Sequence, residues 1–469
     1  MTKFNSANFK KTINYLKRNG LRNTYFAALE RLQQNAAYTY AAPDEEALAI
    51  QREKSQASNI KFSILVPAYR TDEAYLRDMA ESVLAQSYTN FELVIADAGE
   101  DSKIEDILKE YGDNRIKYFY LNGNKGISEN TNAALKEATG DYIGLLDHDD
   151  MLTRDALYEM AEAIKSAQEK GITLQLLYSD EDKCDEFGKH YYEPHKKTKF
   201  NLDLILSNHY ICHFTVMKQE LMKKLLFRPE YDGAQDYDLV LRGIKEIYDA
   251  YSEEKSILTV EAEREICHIP KVLYHWRCHR GSTAANPQSK QYAYDAGGRA
   301  IADFLKKNTL KGEVFSTKHL GFYQIKYEPD LLTARQDIGA VGGCLYDKKN
   351  KIAGGIYSYS GECPYKGLRA GFSGYMQRAT LLQDAEAVDI RLMKIRSELF
   401  PLIANVLRES MGEDVLLLQQ TDNRIDCKNL SFTEDEYLEI SVIICKEIKN
   451  RGYRIVWDPF WTSKIDTVI

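Results

Sequence analysis

Short apolar runs alternate along the first third of the chain with segments whose apolar residues recur at helical spacing. The apolar runs lie at 62–67, 91–97, 116–121 and 142–146. The segments with helical spacing lie between them, at 72–86, 102–111 and 126–139. Strands that alternate with crossover helices are typical of an α/β fold with a mainly parallel sheet. We therefore expect such a sheet, flanked by helices, to begin near residue 60.

Acidic residues stand where two of these strands end. Asp97 closes the run 91–97, and Asp147-His148-Asp149-Asp150 follows the run 142–146. Ligands of α/β sheets gather at the carboxyl ends of the strands. Clustered carboxylates at this edge are hard oxygen ligands, which suit a divalent cation and a diphosphate. The pattern predicts a nucleotide-sugar site at the acidic end of the fourth strand.

Several ordered motifs, which together cover about residues 60–305, resemble those of family 2 glycosyltransferases. These motifs are Phe62–Arg70, Ala80–Tyr88, Val94–Asp97, Asn124–Ser128 with Asn132, Asp147–Asp150, Tyr178–Lys183, Tyr231–Asp238 and His268–Arg277. The resemblance implies a GT-A fold, which is Rossmann-like, and an inverting transfer of a sugar. It is specific as to family and much less specific as to sugar.

The chain length and the later motifs predict three regions. We expect a helical extension and linker at 1–59, a GT-A catalytic domain at 60–308, and a C-terminal α+β domain at 309–469. The catalytic domain divides into a nucleotide-binding half, 60–150, and an acceptor half, 151–308. Segments 337–346, 351–357 and 452–459 resemble the acceptor-side half of a second glycosyltransferase domain. Because no nucleotide-binding half precedes them, we expect a truncated, non-catalytic accessory domain that serves acceptor binding or oligomer contacts.

Composition restricts the class of protein further. The net charge of −8 argues against a general nucleic-acid binder. Eight scattered cysteines lack the paired spacing of zinc sites and fit buried thiols in a reducing compartment. No run of about 20 apolar residues predicts a membrane span, and no signal-peptide pattern is present. We therefore expect a cytoplasmic protein, or one peripheral to the inner face of the plasma membrane.

Residues 1–35 are basic and interleaved with apolar residues, against the charge of the whole chain. This pattern predicts one or two basic amphipathic helices. Two interpretations stay open for them. In the first, they lie on an anionic membrane that contains a lipid-linked acceptor. In the second, they pack on the enzyme as a cap or a homo-oligomer contact.

The resemblance assigns seven residues to the nucleotide. They are Pro67, Ala68, Tyr69, Asp97, Asn132, Asp147 and Arg277. Asp97 would accept a hydrogen bond from the base, although it would equally cap the turn at Ala98-Gly99. Arg277, at a strand end, would clamp the diphosphate, because a guanidinium matches phosphate bidentately.

The resemblance also implies a Mn²⁺ or Mg²⁺ cofactor. In the family pattern the first acid of the pair, Asp147, serves the ribose side and the second, Asp149, binds the metal. His275 is the histidine expected to complete the metal shell, with a structural role as the alternative. We interpret His148 as structural and Asp150 as a cap for the helix near Thr153.

Asp236 is the expected catalytic base, because an inverting transfer needs a proton acceptor for the attacking hydroxyl. Its alternative is a simple helix cap, and Asp238 is expected to cap the helix or pair with Arg242. Asp180 and Glu181, after another apolar strand, are assigned to acceptor or donor-sugar hydroxyls, with a solvated acidic turn as the alternative.

These assignments predict an inverting hexosyltransferase. It would take glucose, galactose or rhamnose from a UDP- or dTDP-sugar to a hydroxyl of a growing glycan, lipid-linked or protein-linked, in bacterial surface polysaccharide or glycoprotein assembly. The alternative is a non-catalytic nucleotide-sugar-binding or scaffold subunit. A nucleotidyltransferase is disfavoured, because no glycine-rich phosphate loop with a lysine follows the first strand.

Overall fold

The computed structural model describes residues 6–33, 38–100, 103–252, 258–279, 291–411, 419–421, 424–426 and 432–465. Two helices precede the first sheet: α1 (Ser6–Gln33), which is interrupted at Gly20, and α2 (Glu45–Ser55). Phe26 of α1 packs on Phe372, with ring centroids 4.9 Å apart, and Glu30 accepts hydrogen bonds from the backbone of Ser373 and Gly374. The second half of α1 is thus a cap on the C-terminal region, whereas membrane contact through residues 1–35 stays a prediction.

The nucleotide-side half forms as the hydrophobic pattern predicts. Its elements are β1 (Phe62–Ala68), α3 (Glu73–Leu84), β2 (Phe91–Asp97), α4 (Lys103–Glu110), β3 (Ile116–Tyr120), α5 (Ile127–Glu137) and β4 (Tyr142–Leu145). The strands are parallel in the order β3-β2-β1-β4. Their carboxyl ends therefore meet at one edge, and the acidic cluster at 147–150 follows β4 there.

The second half extends the same sheet in the order β4-β8-β6-β9-β5, with β7 paired to β6. Its elements are β5 (Met151–Leu152), α6 (Ala156–Gln168), β6 (Leu176–Cys184), β7 (Tyr191–His195), α7 (Leu202–Ile205), β8 (Thr215–Lys218), α8 (Gln219–Leu225), α9 (Gln235–Asp249), β9 (Ile266–Arg277) and α10 (Gln291–Lys307). Strand β8 is antiparallel to both neighbours, while β6 and β9 are parallel. The sheet is mixed here and parallel in its first four strands, and the predicted α/β GT-A class is confirmed.

Helices cover both faces of this sheet. Leu76, Met79 and Val83 of α3 pack with α6 and one face of the strands, and α5, α9 and α10 cover the other face. In the described part of the chain, we find no helix with the length and apolar character needed to cross a membrane.

The C-terminal region has a sheet of its own, in the order β15-β20-β12-β17-β19-β18, with β13 paired to β12. Its elements are β10 (Gly312–Ser316), β11 (Tyr323–Tyr327), α11 (Leu331–Ala334), β12 (Ile338–Tyr346), β13 (Ile352–Gly354), β14 (Ile356–Tyr357), β15 (Gln383–Asp384), β16 (Ala387–Val388), β17 (Met393–Ile395), α12 (Phe400–Met411), β18 (Gln419–Thr421), β19 (Arg424–Asp426), α13 (Glu434–Lys449) and β20 (Arg454–Lys464). Strands β12 and β20 are the segments that resemble an acceptor-side half. They form the predicted additional α+β unit.

Candidate active site

A cleft of about 730 Å³ opens at the carboxyl edge of the first sheet. Four residues singled out from the sequence line it: Pro67, Asp147, Glu181 and Asp236. They come from β1, the segment after β4, β6 and the first turn of α9. Residues that are more than 160 positions apart in the chain therefore face one cavity, which is large enough for a small ligand.

Asp236 lies in the first turn of α9, where the helix dipole favours a negative charge. Its Oδ2 atom lies 3.3 Å from His209 Nε2 and 3.2 Å from Cys212 Sγ. Burial by itself raises the pKa of Asp236. The nearby His209 imidazole and the hydrogen bonds that Asp236 accepts from His209 and Cys212 nevertheless hold that pKa below its usual range. The carboxyl is therefore ionised at neutral pH and can accept a proton.

Asp238 does not share this cleft. It is buried and ion-paired with Arg228 and, at 2.8 Å, with Arg242. The expected pairing with Arg242 is confirmed, and Asp238 anchors α9 to the preceding loop.

The four residues after β4 point in different directions. Asp147 faces the cleft, whereas Asp150 is buried and accepts hydrogen bonds from Tyr274 Oη at 2.5 Å and the Arg277 backbone N–H at 2.7 Å. Burial, with the neighbouring Asp149 and Asp147 carboxylates, raises the pKa of Asp150 well above its usual range. The expected helix cap is corrected: Asp150 ties the acidic segment to β9, and α6 begins later, at Ala156.

Asp149 has a histidine partner, and that partner is His279. The distance from His279 Nε2 to Asp149 Oδ2 is 2.8 Å, and each side chain keeps about a fifth of its surface exposed, 22% and 20%. His275, the histidine expected from the sequence, is instead buried with its Nδ1 atom 2.5 Å from Asp182. It packs between Tyr40 and Tyr191, so its imidazole is held by Asp182 and these two rings rather than by Asp149.

Arg277 also differs from its expected role. Its side chain is fully buried, and it donates to the Asp149 and Glu186 carbonyl oxygens and to Asp78 Oδ2, at 2.6, 2.8 and 2.8 Å. Because the guanidinium is fully buried with three of its five N–H groups engaged, it presents no exposed donor to a diphosphate. Arg277 instead holds the acidic segment in place.

Glu181 and Asp180 are both buried, but only Glu181 belongs to the cleft lining. Its carboxylate lies 3.1 Å from His195 Nδ1 and accepts from the His213 backbone N–H at 2.7 Å. Burial raises the pKa of Glu181, yet Lys197 and His195 lower it to about 2. Asp180 accepts from His268 and the Lys197 backbone, both at 2.8 Å. The solvated-turn alternative fails for both, because each carboxylate is enclosed by partners.

The remaining nucleotide candidates lie close to the sheet edge with internal partners. Asp97 is fully buried and accepts from Gly99 N–H at 2.7 Å and Tyr118 Oη at 2.9 Å, which is the capping geometry. Asn132 exchanges two hydrogen bonds with the backbone of Phe227. Ala68 pairs in register with Asp97, and the ring of Tyr69 lies 5.1 Å from the Arg70 guanidinium. Nucleotide contact by these residues stays a prediction.

Three functional candidates were missed by the sequence reasoning. His209, Cys212 and His213 lie between α7 and β8 and line the cleft beside Asp236. His213 stacks on Tyr274, and its ligand atom lies within 4.8 Å of those of Asp147 and Asp150. The sequence did carry a local signal for them, since three residues of metal-binding types, two histidines and a cysteine, lie within five positions.

The acidic segment fits a divalent cation. Asp149 and His279 offer an oxygen and a nitrogen in partly exposed positions, and the Asp147 and Asp149 carboxylates place negative charge there that a cation would offset. In the alternative grouping of Asp147, Asp150 and His213, Asp150 already uses both oxygens for Tyr274 and Arg277. Asp149 and His279 contact each other but keep part of their surface exposed, so a cation could reach them more readily than the buried Asp150.

Comparisons with known proteins agree on one family. The sequence model described as glycosyl transferase family 2 matches residues 63–226. An uncharacterised protein, y4gI, of Sinorhizobium fredii is 38% identical over 253 residues, which are 53% of this chain and 26% of that protein. The O-antigen biosynthesis protein RfbC of Myxococcus xanthus is 31% identical over 269 residues, 56% of this chain and 19% of that protein. The chain thus spans about a quarter or less of these two relatives.

A shorter relative is covered more fully. The putative teichuronic acid biosynthesis glycosyltransferase TuaG of Bacillus subtilis is 30% identical over 193 residues, 40% of this chain and 74% of that protein. Among solved structures, S. aureus TarS 1-349 in complex with UDP aligns with a TM-score of 0.38 and 20% identity, over 52% of this chain and 65% of that one.

Proposed function

Since the chain belongs to glycosyl transferase family 2, we propose that it transfers a hexosyl unit with inversion from a UDP- or dTDP-sugar to a hydroxyl of a growing glycan. One observation carries the proposal. Asp147, from the acidic segment, and Asp236, an ionised proton acceptor, line the same cleft. The names of RfbC and TuaG support a role in bacterial surface polysaccharide assembly.

The donor would lie along the carboxyl edge of the parallel strands. There Pro67 gives an apolar wall and Asp147 a carboxylate for the ribose. Asp149 and His279 would hold Mn²⁺ or Mg²⁺, which when bound neutralises charge on the diphosphate. Arg277 acts indirectly, since its hydrogen bond to the Asp149 carbonyl oxygen fixes the backbone that carries these acids.

The acceptor hydroxyl would enter beside Asp236. Its oxygen attacks the anomeric carbon, its proton passes to the Asp236 carboxylate, and the bond to the diphosphate breaks to release the nucleoside diphosphate. Because the pKa of Asp236 is depressed, the proton moves late, once the new bond has made the hydroxyl acidic. Glu181, held by His195 and the His213 backbone, supplies a fixed negative charge on the same side.

Turnover of the donor tests the proposal. With Mn²⁺ present, hydrolysis of UDP-glucose, UDP-galactose and dTDP-rhamnose is measured for wild type and Asp236→Asn. The substitution preserves shape and removes the base, so we expect turnover to fall about 100-fold or more while donor affinity, measured by calorimetry, is unchanged. The matched control is Asp232→Asn, which changes another carboxylate of the same cleft.

The alternative function makes the opposite prediction. A non-catalytic nucleotide-sugar-binding subunit would bind a donor without turning it over. Equal turnover in wild type and Asp236→Asn would show that Asp236 is not the base. Donor binding without turnover in the wild type and in the variants would support the binding subunit.

A further inference from the structure

His209, Cys212 and Asp236 form a compact group of three different metal-binding side chains. His209 and Cys212 are separated by two residues in the loop before β8, and Asp236 comes from the first turn of α9. Their ligand atoms lie within 4.8 Å of one another. Among these three, only Asp236 has a role in the proposed transfer reaction.

Two of the three separations match those of a tetrahedral zinc site, and the third lies within 4.8 Å. Bonds of about 2.0–2.3 Å at tetrahedral angles place ligand atoms roughly 3.3–3.6 Å apart. The observed distances are 3.3 Å from His209 Nε2 to Asp236 Oδ2 and 3.2 Å from Cys212 Sγ to the same oxygen. A cation would therefore need only small side-chain movements to bind all three.

The imidazole of His209 is poorly satisfied where it stands. Both ring nitrogens are shielded from solvent; Nδ1 has no hydrogen-bond partner among the described residues, and Nε2 has only the Asp236 carboxylate at 3.3 Å. Its ring is fixed by stacking on Tyr237, with centroids 4.7 Å apart. The imidazole nitrogen is shielded and oriented, and it lies beside a thiol and a carboxylate. These three groups are therefore placed as ligands for a metal cation.

We infer that His209, Cys212 and Asp236 bind a thiophilic divalent cation of the Zn²⁺ class, with the fourth position open to the cleft. Binding replaces the Cys212 thiol proton, which is released to solvent, with a sulfur–metal bond. The site is distinct from the Asp149–His279 pair, whose oxygen and nitrogen suit Mn²⁺ or Mg²⁺.

A consequence for the reaction follows, and it rests on the proposed function. With its carboxylate bound to zinc, Asp236 cannot take the proton of the acceptor hydroxyl. Zn²⁺ at this site therefore inhibits transfer by occupying the base, while the donor edge of the cleft stays accessible.

Metal binding is tested with Co²⁺ and Zn²⁺ alone, without any nucleotide sugar. Wild-type protein titrated with Co²⁺ is expected to develop a thiolate-to-cobalt charge-transfer absorption that saturates at one equivalent and is abolished by Zn²⁺. Cys212→Ser should lose this band. The matched control Cys363→Ser, which changes a partly buried cysteine of the C-terminal region, should retain it.

A second variant covers the case in which Cys212→Ser does not fold. His209→Gln keeps the thiol and should weaken Zn²⁺ binding about tenfold or more. An absent band in wild type, or an identical band in Cys212→Ser, overturns the inference. These readouts need no transferase activity, so a failure of the proposed function leaves them intact; inhibition of donor turnover by Zn²⁺ is then measured separately.

Discussion

At the level of single residues, chain geometry around β9 decides which histidine lies next to Asp149. His275 is inside the strand, and its side chain points to the face that carries Asp182. His279 is two residues beyond the strand, where the chain turns back toward the acidic segment. The sequence shows both histidines after an apolar run, but the position at which the strand ends is set by its pairing with β6, which is a long-range contact.

His279 is therefore the residue whose loss should change metal dependence. In His279→Ala we expect the Mn²⁺ concentration that gives half-maximal donor hydrolysis to rise about tenfold or more, because Asp149 loses its neighbouring ligand. Manganese binding followed by electron paramagnetic resonance should weaken in parallel. His190→Ala, which changes an exposed histidine, is the control. An unaltered Mn²⁺ dependence in His279→Ala would contradict the assignment.

The site residues that the sequence could predict are those placed by the end of a neighbouring strand or the start of a neighbouring helix. Asp147 comes directly after a buried strand and Asp236 at a helix start, so both face the sheet edge wherever the rest of the chain lies. Arg277 could not be predicted in this way. Its partner Asp78 lies 199 positions earlier in the chain, so the contact that engages the guanidinium is long-range.

At the level of elements, the spacing of apolar residues along the chain predicted the first half of the sheet well. The helix expected at 126–139 is Ile127–Glu137, and the strand expected at 116–121 is Ile116–Tyr120. The apolar spacing within each of these segments is enough to identify it as a helix or a strand, although α5 packs on β1 and β2. The antiparallel strand β8 between β4 and β6 has no such local signal, because both of its partners precede it by dozens of residues.

Strand β2 carries a buried carboxylate whose ionisation should control acid stability. Burial alone would raise the pKa of Glu92, but Lys117, Lys61 and hydrogen bonds from Ser63 and Thr139 lower it to about 2. Because the folded pKa is below the unfolded value, the charge stabilises the fold above pH about 4.5. This stabilisation is lost as the pH falls from about 5 towards 2.

Glu92→Gln should remove that dependence. At pH 7 we expect a loss of about 2 kcal/mol after allowance for the partly exposed lysines, or a melting temperature lower by roughly 5 °C. At pH 3 the difference from wild type should shrink. Melting curves across this pH range are the measurement, and Glu110→Gln, at an exposed ion pair, is the control. A constant difference at all pH values would show that Glu92 is not the titrating group.

At the level of the whole molecule, the C-terminal region completes the cleft. Met376 lies in its lining together with Phe322, from the connection between the two sheets. The segment around Met376 is fixed to the catalytic domain, since Tyr375 Oη donates to the Pro194 carbonyl oxygen at 2.7 Å and Arg378 donates to that of Lys196, also at 2.7 Å. The cleft wall thus depends on how the two regions are joined.

A buried ion pair joins them. The Arg335 side chain is fully buried and lies 3.0 Å from Asp203 of α7 and 2.6 Å from Asp337, which precedes β12. Arg335→Gln leaves the buried Asp203 carboxylate without its ion-pair partner, whereas Asp337 keeps Arg454 at 2.9 Å. The substitution should cost about 3–5 kcal/mol and lower the melting temperature by roughly 10 °C. Scanning calorimetry measures this, with Arg451→Gln, at an exposed ion pair, as the control.

A second substitution separates the ion pair from a general packing defect. When Asp203→Asn is added to Arg335→Gln, the carboxylate that lost its partner is removed, so part of the lost stability should return. If the double variant lost as much stability as the two single variants added together, that result would contradict a direct link between the regions. If the link holds, Arg335→Gln should also loosen the wall at Met376, and limited proteolysis should then cut between residues 309 and 337 faster than in wild type.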